Sequence, residues 1–253
     1  MTMGSGRRLP AGMQAPGGAY YTPEGVALSI AQAVRESVFF RGREPAVILE
    51  PNVGGGAFAL AAKQVWPQAV ILGIDIDPKA PGLEVVDHAF VGSFLSLRAL
   101  DWIRATTLSC RESVEPSPYY EATGHESWKP DLVLGNPPFE HLTAMVLASF
   151  EVCRRDVVFL LRAAALHGAD RHASLYRQPE WSLDGFYPLV RRPSFVRADS
   201  LSSSKQLALP GTVRGPVAPS AAGSTASCEY AAFQWGKCKA TPGRGSVLMR
   251  HIL

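Results

Sequence analysis

The sequence predicts an α/β fold built on a Rossmann-like, mostly parallel sheet, and three segments predict it. Ala46-Val-Ile-Leu-Glu50 is a short apolar run that leads into Pro51-Asn-Val-Gly54-Gly55-Gly56 and then into a helical pattern from Ala59 to Trp66. Ala69-Val-Ile-Leu-Gly-Ile-Asp75 is a second run, ending in an acid about 20 residues after the glycines, where Rossmann-like folds hold ribose hydroxyls. Leu132 to Leu134 is a third, followed by Gly135-Asn-Pro-Pro-Phe139. Short apolar runs without polar alternation are strands buried on both faces, the mark of a parallel sheet covered by helices.

The remaining elements follow in order. Helical spacing runs from Gly25 to Phe40 and leads into the first strand at 46–49. A helix at 57–66, a strand at 69–74 and a short strand near Glu84 to Phe90 come next, then a helix from Leu97 to Leu108. Cys110 to Lys129 holds Pro116, Pro118, Tyr119, Tyr120, Gly124 and Trp128 with little periodicity and is expected to be a loop. A loop of that length is uncommon in a compact domain. It precedes the Asn-Pro-Pro-Phe strand, so it either overhangs a substrate or is a tolerated surface insertion. Glu140 to Arg154 has a helical pattern, and Asp156 to Leu161 is the next strand. Arg162 to Glu180 has no sheet pattern and holds many Arg and His. Phe186 to Val190 and Tyr230 to Trp235 are expected to pair as an antiparallel hairpin. Between them lie Arg191-Arg-Pro-Ser-Phe195 and a tract from Leu201 to Ser227 rich in Ser, Gly, Ala and Pro, a composition of flexible segments.

Length and composition bound the answer. The chain has 253 residues, enough for one substantial core, and the expectation is a single domain over 20–253 after a leader at 1–19. The leader is rich in Gly, Pro and Ala and lacks the apolar block of a signal peptide, so a disordered leader in a cytoplasmic protein is expected. No apolar run approaches the roughly 20 residues of a membrane span. Cys110, Cys153, Cys228 and Cys238 have no C-x-x-C spacing, and His167 with His172 has the wrong spacing for a helical metal pair. Unpaired thiols and no metal are therefore expected. The formal net charge of +3 hides an asymmetry. Residues 1–153 carry 11 Lys and Arg against 16 Asp and Glu, a net of −5, whereas residues 154–253 carry 14 against 6, a net of +8. A basic C-terminal portion, about 163–253, points to a polyanionic partner, with a solvated basic face as the plain alternative. Arg191 and Arg192 are the natural phosphate contacts.

The chemistry concentrates in Asn136-Pro137-Pro138-Phe139. The prolines fix φ and remove two N–H donors, which stiffens the backbone and leaves carbonyls to point at a ligand. Asn136 adds a side-chain acceptor and donor at the same spot, and Phe139 adds a flat apolar face. Two acceptors beside a ring, at the carboxyl end of a strand, suit a planar group bearing an exocyclic amine. Asn-Pro by itself is an ordinary turn signal. Here it shares one sheet edge with the glycine turn and the acid-tipped strand. The glycine spacing is not the G-x-G-x-x-G of dinucleotide binders.

With these motifs the chain resembles the S-adenosylmethionine-dependent amino-methyltransferases, in particular the adenine-N6 DNA enzymes, over roughly residues 20–162. The resemblance implies a class I methyltransferase fold, a seven-stranded sheet with a closing antiparallel hairpin. It also implies S-adenosylmethionine as cofactor. Tyr20-Tyr21-Thr22-Pro23 is similar to the family element that touches the methionine part of the cofactor, and Glu50, Pro51, Asn52, Gly54 and Gly56 to its glycine-rich loop. Asp75 matches the ribose acid, and Ile76 the residue packed on the cofactor adenine. Ser93 and Phe94 stand where the family carries an acid before the Phe, so serine is a departure there. Asn136 to Phe139 is similar to the catalytic motif. The motif order fits the subclass without circular rearrangement.

What the resemblance implies for activity is methyl transfer to the N6 amino group of adenine in DNA, with the base flipped out of the duplex. Phe139 is one stacking face and Phe195 the candidate second, with Trp128 and Tyr187 competing. Related motifs also serve protein-glutamine and RNA guanine-N2 methylation, so RNA and protein stand as alternative substrates, and a non-catalytic nucleic-acid-binding subunit as a third reading. Nothing in the chain resembles a large target-recognition domain, which hints at relaxed specificity or a partner subunit.

Overall fold

The computed structural model describes residues 20–37, 40, 44–112, 127–197, 229–237 and 248–249. The leader at 1–19 and the tract at 201–227 lie outside the described residues, as does 113–126 of the expected loop.

The strands are β1 (Tyr20–Tyr21), β2 (Val47–Glu50), β3 (Val70–Asp75), β4 (His88–Val91), β5 (Leu132–Gly135), β6 (Asp156–Arg162), β7 (Trp181–Pro188), β8 (Val196–Arg197), β9 (Tyr230–Lys237) and β10 (Leu248–Met249). The long helices are α1 (Glu24–Glu36), α2 (Ala57–Val65), α3 (Leu97–Glu112) and α4 (Leu142–Val152). One sheet runs in the order β10-β7-β9-β6-β5-β2-β3-β4. Strands β2 to β6 are mutually parallel, and β9 lies antiparallel between β6 and β7. This is the expected Rossmann-like sheet with its closing antiparallel pair, extended by the two-residue β10.

Alternation along the central strands splits the core into two layers. Ile48, Ile71, Leu132, Leu134, Val158 and Leu160 face α1 and α2. Val47, Leu49, Leu72, Ile74, Val133, Val157 and Phe159 face α3 and α4. Successive strand residues point to opposite faces, so unbroken apolar runs supply both layers at once. Each helix meets its layer through one stripe: Ala27, Ile30, Ala31 and Val34 on α1, and Ala99, Ile103, Thr107 and Cys110 on α3.

That stripe on α3 explains one departure from expectation. Cys110 closes the i, i+3/i+4 pattern and is buried, so the helix continues to Glu112 and the loop starts later. Two other strands also shift. Pro81–Glu84 forms a 3₁₀ turn, and the strand expected from Glu84 begins only at His88 because Val85 and Val86 pack against the helical layer first. The strand β7 opens at Trp181, whose indole stacks on Phe150 at 4.7 Å; Ser182 and Asp184, with a bulge between Leu183 and Gly185, hide its pattern in the sequence.

At the amino-terminal ends of the strands Asp131 is buried and ties the sheet together. It accepts from the N–H groups of Ala46 and Val47 at 2.9 and 3.0 Å and pairs with Arg111 at 3.2 Å and with Arg154. Burial alone would push its carboxyl up; Arg111, Arg154 and Arg155, with the Val47 N–H, outweigh that and hold it below the ordinary carboxylate value. The opposite, carboxyl-terminal edge is where ligands bind in open α/β sheets.

Candidate active site

The chain leaves β2 at Glu50 and turns through Pro51 to Gly56 into α2. Gly54 and Gly56 sit at φ +52° and +82°, in the left-handed region that favours glycine. A Cβ at Gly56 would also fall 2.8 Å from Gly82 Cα. The turn is tied to the tip of β3: Gly54 N–H donates to Asp75 Oδ2 at 2.7 Å, and Asp77 N–H donates to Asp75 Oδ1 at 2.9 Å. Asp75 is thus a brace for the glycine turn as well as a carboxylate at the edge, with lone pairs left over for hydroxyl donors. Burial raises its pKa, and the N–H groups of Asp77 and Gly54 pull it back in part. Next to it Ile76 is an exposed large apolar side chain.

Tyr21 closes over this turn. Its pKa is raised, first by burial and then by the charges of Asp75 and Asp77. Below, Glu50 is 2% exposed, and burial pushes its carboxyl well above the ordinary range, against a hydrogen bond from Ala59 N–H. Glu50 Oε2 and Asn52 Oδ1 are buried and, among the described residues, without a hydrogen-bond partner. Buried acceptors left open beside a glycine turn are costly and fit a ligand that brings donors.

The Asn-Pro-Pro-Phe segment joins the same edge. Asn52 Nδ2 donates to the Asn136 carbonyl, and Asn136 Nδ2 donates to Thr22 Oγ1 at 3.1 Å. Asn136 Oδ1 is buried and has no hydrogen-bond partner among the described residues. Pro137 is buried, and the Pro138 carbonyl accepts from His141 N–H at 3.1 Å, which turns the chain toward α4. Phe139 is 37% exposed. Its ring lies 5.9 Å from that of Tyr230, which in turn meets Phe195 edge-on at 5.0 Å. The Arg162 guanidinium stands over Phe139 at 4.6 Å from the ring centre. Arg191 and Arg192 are exposed and follow β7 at this same edge.

The structure therefore brings together Tyr21, Thr22, Glu50, Asn52, the glycines, Asp75 and Asn136, with Phe139 and Phe195 alongside. It does not bring Trp128 there. That residue precedes β5, at the amino-terminal edge, with the Arg104 guanidinium over its ring at 4.7 Å. Phe94 is buried between the sheet and α3, and the Ser93 hydroxyl accepts from Leu95 N–H at 3.3 Å, a turn-closing role. Tyr187 is buried and its hydroxyl donates to Gln234 Oε1 at 2.7 Å, so it belongs to the core. Two residues at the edge were not singled out from sequence, Arg162 and Tyr230, which face each other across β6 and β9. Their signal was positional: Arg162 directly follows the apolar strand, so it must emerge at its carboxyl end. Among the described residues no group of three His, Cys, Asp or Glu side chains could hold a metal, and no helix is long and apolar enough to cross a membrane.

No family model matches the chain, and no curated protein matches it. Solved structures similar to it include TrmN from Thermus thermophilus, with 14% identity and a TM-score of 0.44 over 85% of this chain and 49% of that one. Magnesium protoporphyrin IX methyltransferase from Synechocystis, with S-adenosylmethionine bound, is 10% identical with a TM-score of 0.46 over 85% of this chain and 79% of that one. The O-methyltransferase TomG from Streptomyces achromogenes, also in complex with S-adenosylmethionine, is 12% identical with a TM-score of 0.42 over 84% and 79%. The chain spans about half the length of the first of these. What those proteins bind or methylate is said of them alone.

Proposed function

We propose that this protein transfers a methyl group from S-adenosylmethionine to the N6 amino group of adenine in DNA. The observation that carries the reading is Asn136 Oδ1, a buried acceptor with no partner among the described residues, beside the exposed ring of Phe139. An amino nitrogen conjugated to a ring is a poor nucleophile. Accepting its hydrogens, at Asn136 Oδ1 and at the Pro137 carbonyl, favours a pyramidal nitrogen whose lone pair is free to attack. Positioning then supplies much of the rate. Phe139 offers one stacking face for the base, and Phe195 with Tyr230 forms the neighbouring wall.

The residues present fit the cofactor. The open acceptors Glu50 Oε2 and Asn52 Oδ1 suit an ammonium group. The bare glycine turn under Tyr21 suits close approach by the amino-acid end. Asp75 suits ribose hydroxyls and Ile76 the flat adenine. When bound, S-adenosylmethionine supplies a methyl group on a positively charged sulfur. Exclusion of water and orientation of the acceptor are left to the chain. The basic balance of residues 154–253, with Arg162, Arg191 and Arg192 at this edge, favours a polyanion over a protein acceptor. A partner subunit that selects the target sequence belongs to the same proposal.

The experiment is transfer of labelled methyl from S-adenosylmethionine to unmethylated duplex DNA, ribosomal RNA and a protein extract, offered separately and followed by nucleoside and amino-acid analysis. Label recovered as N6-methyladenine from DNA supports the reading. Label only in RNA or protein moves the activity to another amino acceptor, and no label in any of them removes it.

A further inference from the structure

Thr22 belongs to the N-terminal element expected to touch the cofactor, yet its hydroxyl is engaged elsewhere. It accepts from Asn136 Nδ2 at 3.1 Å, across 114 residues of sequence. The other end of Asn136 is also held, since its backbone carbonyl accepts from Asn52 Nδ2. Between these two restraints Oδ1 is left buried and, among the described residues, without a partner. An asparagine amide turned by 180° would exchange its donor and acceptor faces. With Nδ2 toward the acceptor base, two sets of N–H donors would face each other and attack would be blocked. Something must select the orientation.

On the proposed reading of the site, we infer that Thr22 is a positioning residue for Asn136: by taking Nδ2, its hydroxyl keeps Oδ1 aimed at the substrate amine. A threonine hydroxyl has a single proton to donate and spare lone pairs to accept with. While the hydroxyl accepts from Asn136 Nδ2 its proton points away, and a flipped amide would set Oδ1 against a lone pair until that proton swung back. Thr22 is itself held by its neighbours. Tyr21 pairs with Val196 in the β1–β8 ribbon, and the Pro23 carbonyl receives N–H groups from the first turn of α1, those of Val26 and Ala27, at 3.0 and 3.2 Å. The hydroxyl therefore stands between two fixed backbone points.

The test uses the full chain with Thr22→Val, which keeps the shape and removes the hydroxyl, and Thr22→Ser, which keeps the hydroxyl. Cofactor affinity is measured by calorimetry, turnover on DNA by methyl transfer, and the Asn136 side-chain amide by ¹⁵N-resolved NMR, its signals identified by their loss in Asn136→Ala. Thr22→Val is expected to lower kcat about a hundredfold, the scale of a misplaced reacting group, with cofactor affinity and KM for DNA near wild type. Its Asn136 amide protons shift and exchange faster, and Thr22→Ser restores both signals and turnover. In an Asn136→Ala background, Thr22→Val adds little further loss, because the two residues act as one unit. A wild-type Asn136 amide signal in Thr22→Val overturns the inference, as does a loss confined to cofactor affinity, which returns Thr22 to cofactor contact. If wild-type protein methylates no DNA, the proposed function fails on that result alone, while the amide signals still judge the Thr22–Asn136 link.

Discussion

The ring of Tyr21 rests on Gly55: a Cβ at that glycine would stand 3.0 Å from Tyr21 Cγ and 3.2 Å from its Cβ. The same ring would meet a Cβ at Gly54 at 3.1 Å. The N-terminal element and the glycine turn, more than 30 residues apart, thus share one surface, and bare backbone is what lets the aromatic close over it. Gly55→Ala adds a methyl group into that contact, at a position whose φ is not in the left-handed region, so the cost falls on Tyr21. The expected outcome is an intact fold with cofactor affinity lowered about tenfold, or about 1.4 kcal/mol. Calorimetric titration with S-adenosylmethionine, alongside circular dichroism, checks it. Wild-type affinity would mean that Tyr21 has no part in holding the cofactor.

Asn136→Ala should separate binding from chemistry. The side chain follows the carboxyl end of β5 and bonds to Thr22, not to either partner of the Asp75–Gly54 brace, so its removal leaves that brace in place. Deleting one hydrogen-bond group that acts in the transition state costs about 10²–10³ in kcat. The expected outcome is a loss on that scale with unchanged cofactor affinity, measured by single-turnover methyl transfer with enzyme in excess. Near-normal turnover would remove the proposed role of the amide.

Much of the sheet was legible because strands buried on both faces leave unbroken apolar runs, and 47–50, 70–75, 132–135 and 156–162 are all of that kind. The start of β7 was not, because Ser182, Asp184 and a bulge interrupt the alternation that a strand should show. The β1–β8 ribbon was illegible for a different reason. It is a pairing of two residues with two, Tyr21 opposite Val196, and so short a ladder leaves no period to read. The site divides the same way. Residues at or just past the ends of strands, such as Gly54, Asp75 and Asn136, announce their edge. Trp128 sits on the wrong side of its strand by four residues, and aromatic character alone carries no direction. Arg162 and Tyr230 needed the β6–β9 register, a tertiary fact.

Asp131→Asn should destabilise the fold strongly while leaving the active-site edge chemically unchanged. Arg111 and Arg154 converge on its carboxylate in a buried setting, and removing the charge takes that counter-charge from both. Breaking such a pair from one side costs about 3–5 kcal/mol. The folded-state pKa of Asp131 is depressed, so the folded protein binds fewer protons at this site than the unfolded chain does. Its contribution is fully present above the ordinary carboxylate value, near 3.8, and is lost as pH falls through the lower folded-state value. Urea denaturation of wild type and variant checks this: the difference between them should be constant near neutral pH and shrink in acid. A difference that holds at all pH values would mean that charge on Asp131 is irrelevant to its role.

Phe195→Ala tests the substrate wall. Phe195 meets Tyr230 edge-on at 5.0 Å, and Tyr230 meets Phe139 of the Asn-Pro-Pro-Phe segment at 5.9 Å, so the three rings form a continuous strip from that segment to the one after β7. The strand β8 begins at the very next residue and pairs with Tyr20–Tyr21, which fixes the backbone on which Phe195 is carried. Truncating the ring removes a face on which an extruded base would lie, and base–aromatic stacking is worth about 1–3 kcal/mol per base. The expected outcome is a KM for DNA raised about tenfold to a hundredfold, on that scale, with a smaller change in kcat and an unchanged affinity for S-adenosylmethionine. Phe195→Trp, which keeps a flat face, should restore most of the DNA affinity. Steady-state methyl transfer on duplex and single-stranded oligonucleotides separates the two contributions, since single strands need no unpairing. An unchanged KM on both substrates would leave Phe139 as the stacking face and return Phe195 to the core packing around Tyr230.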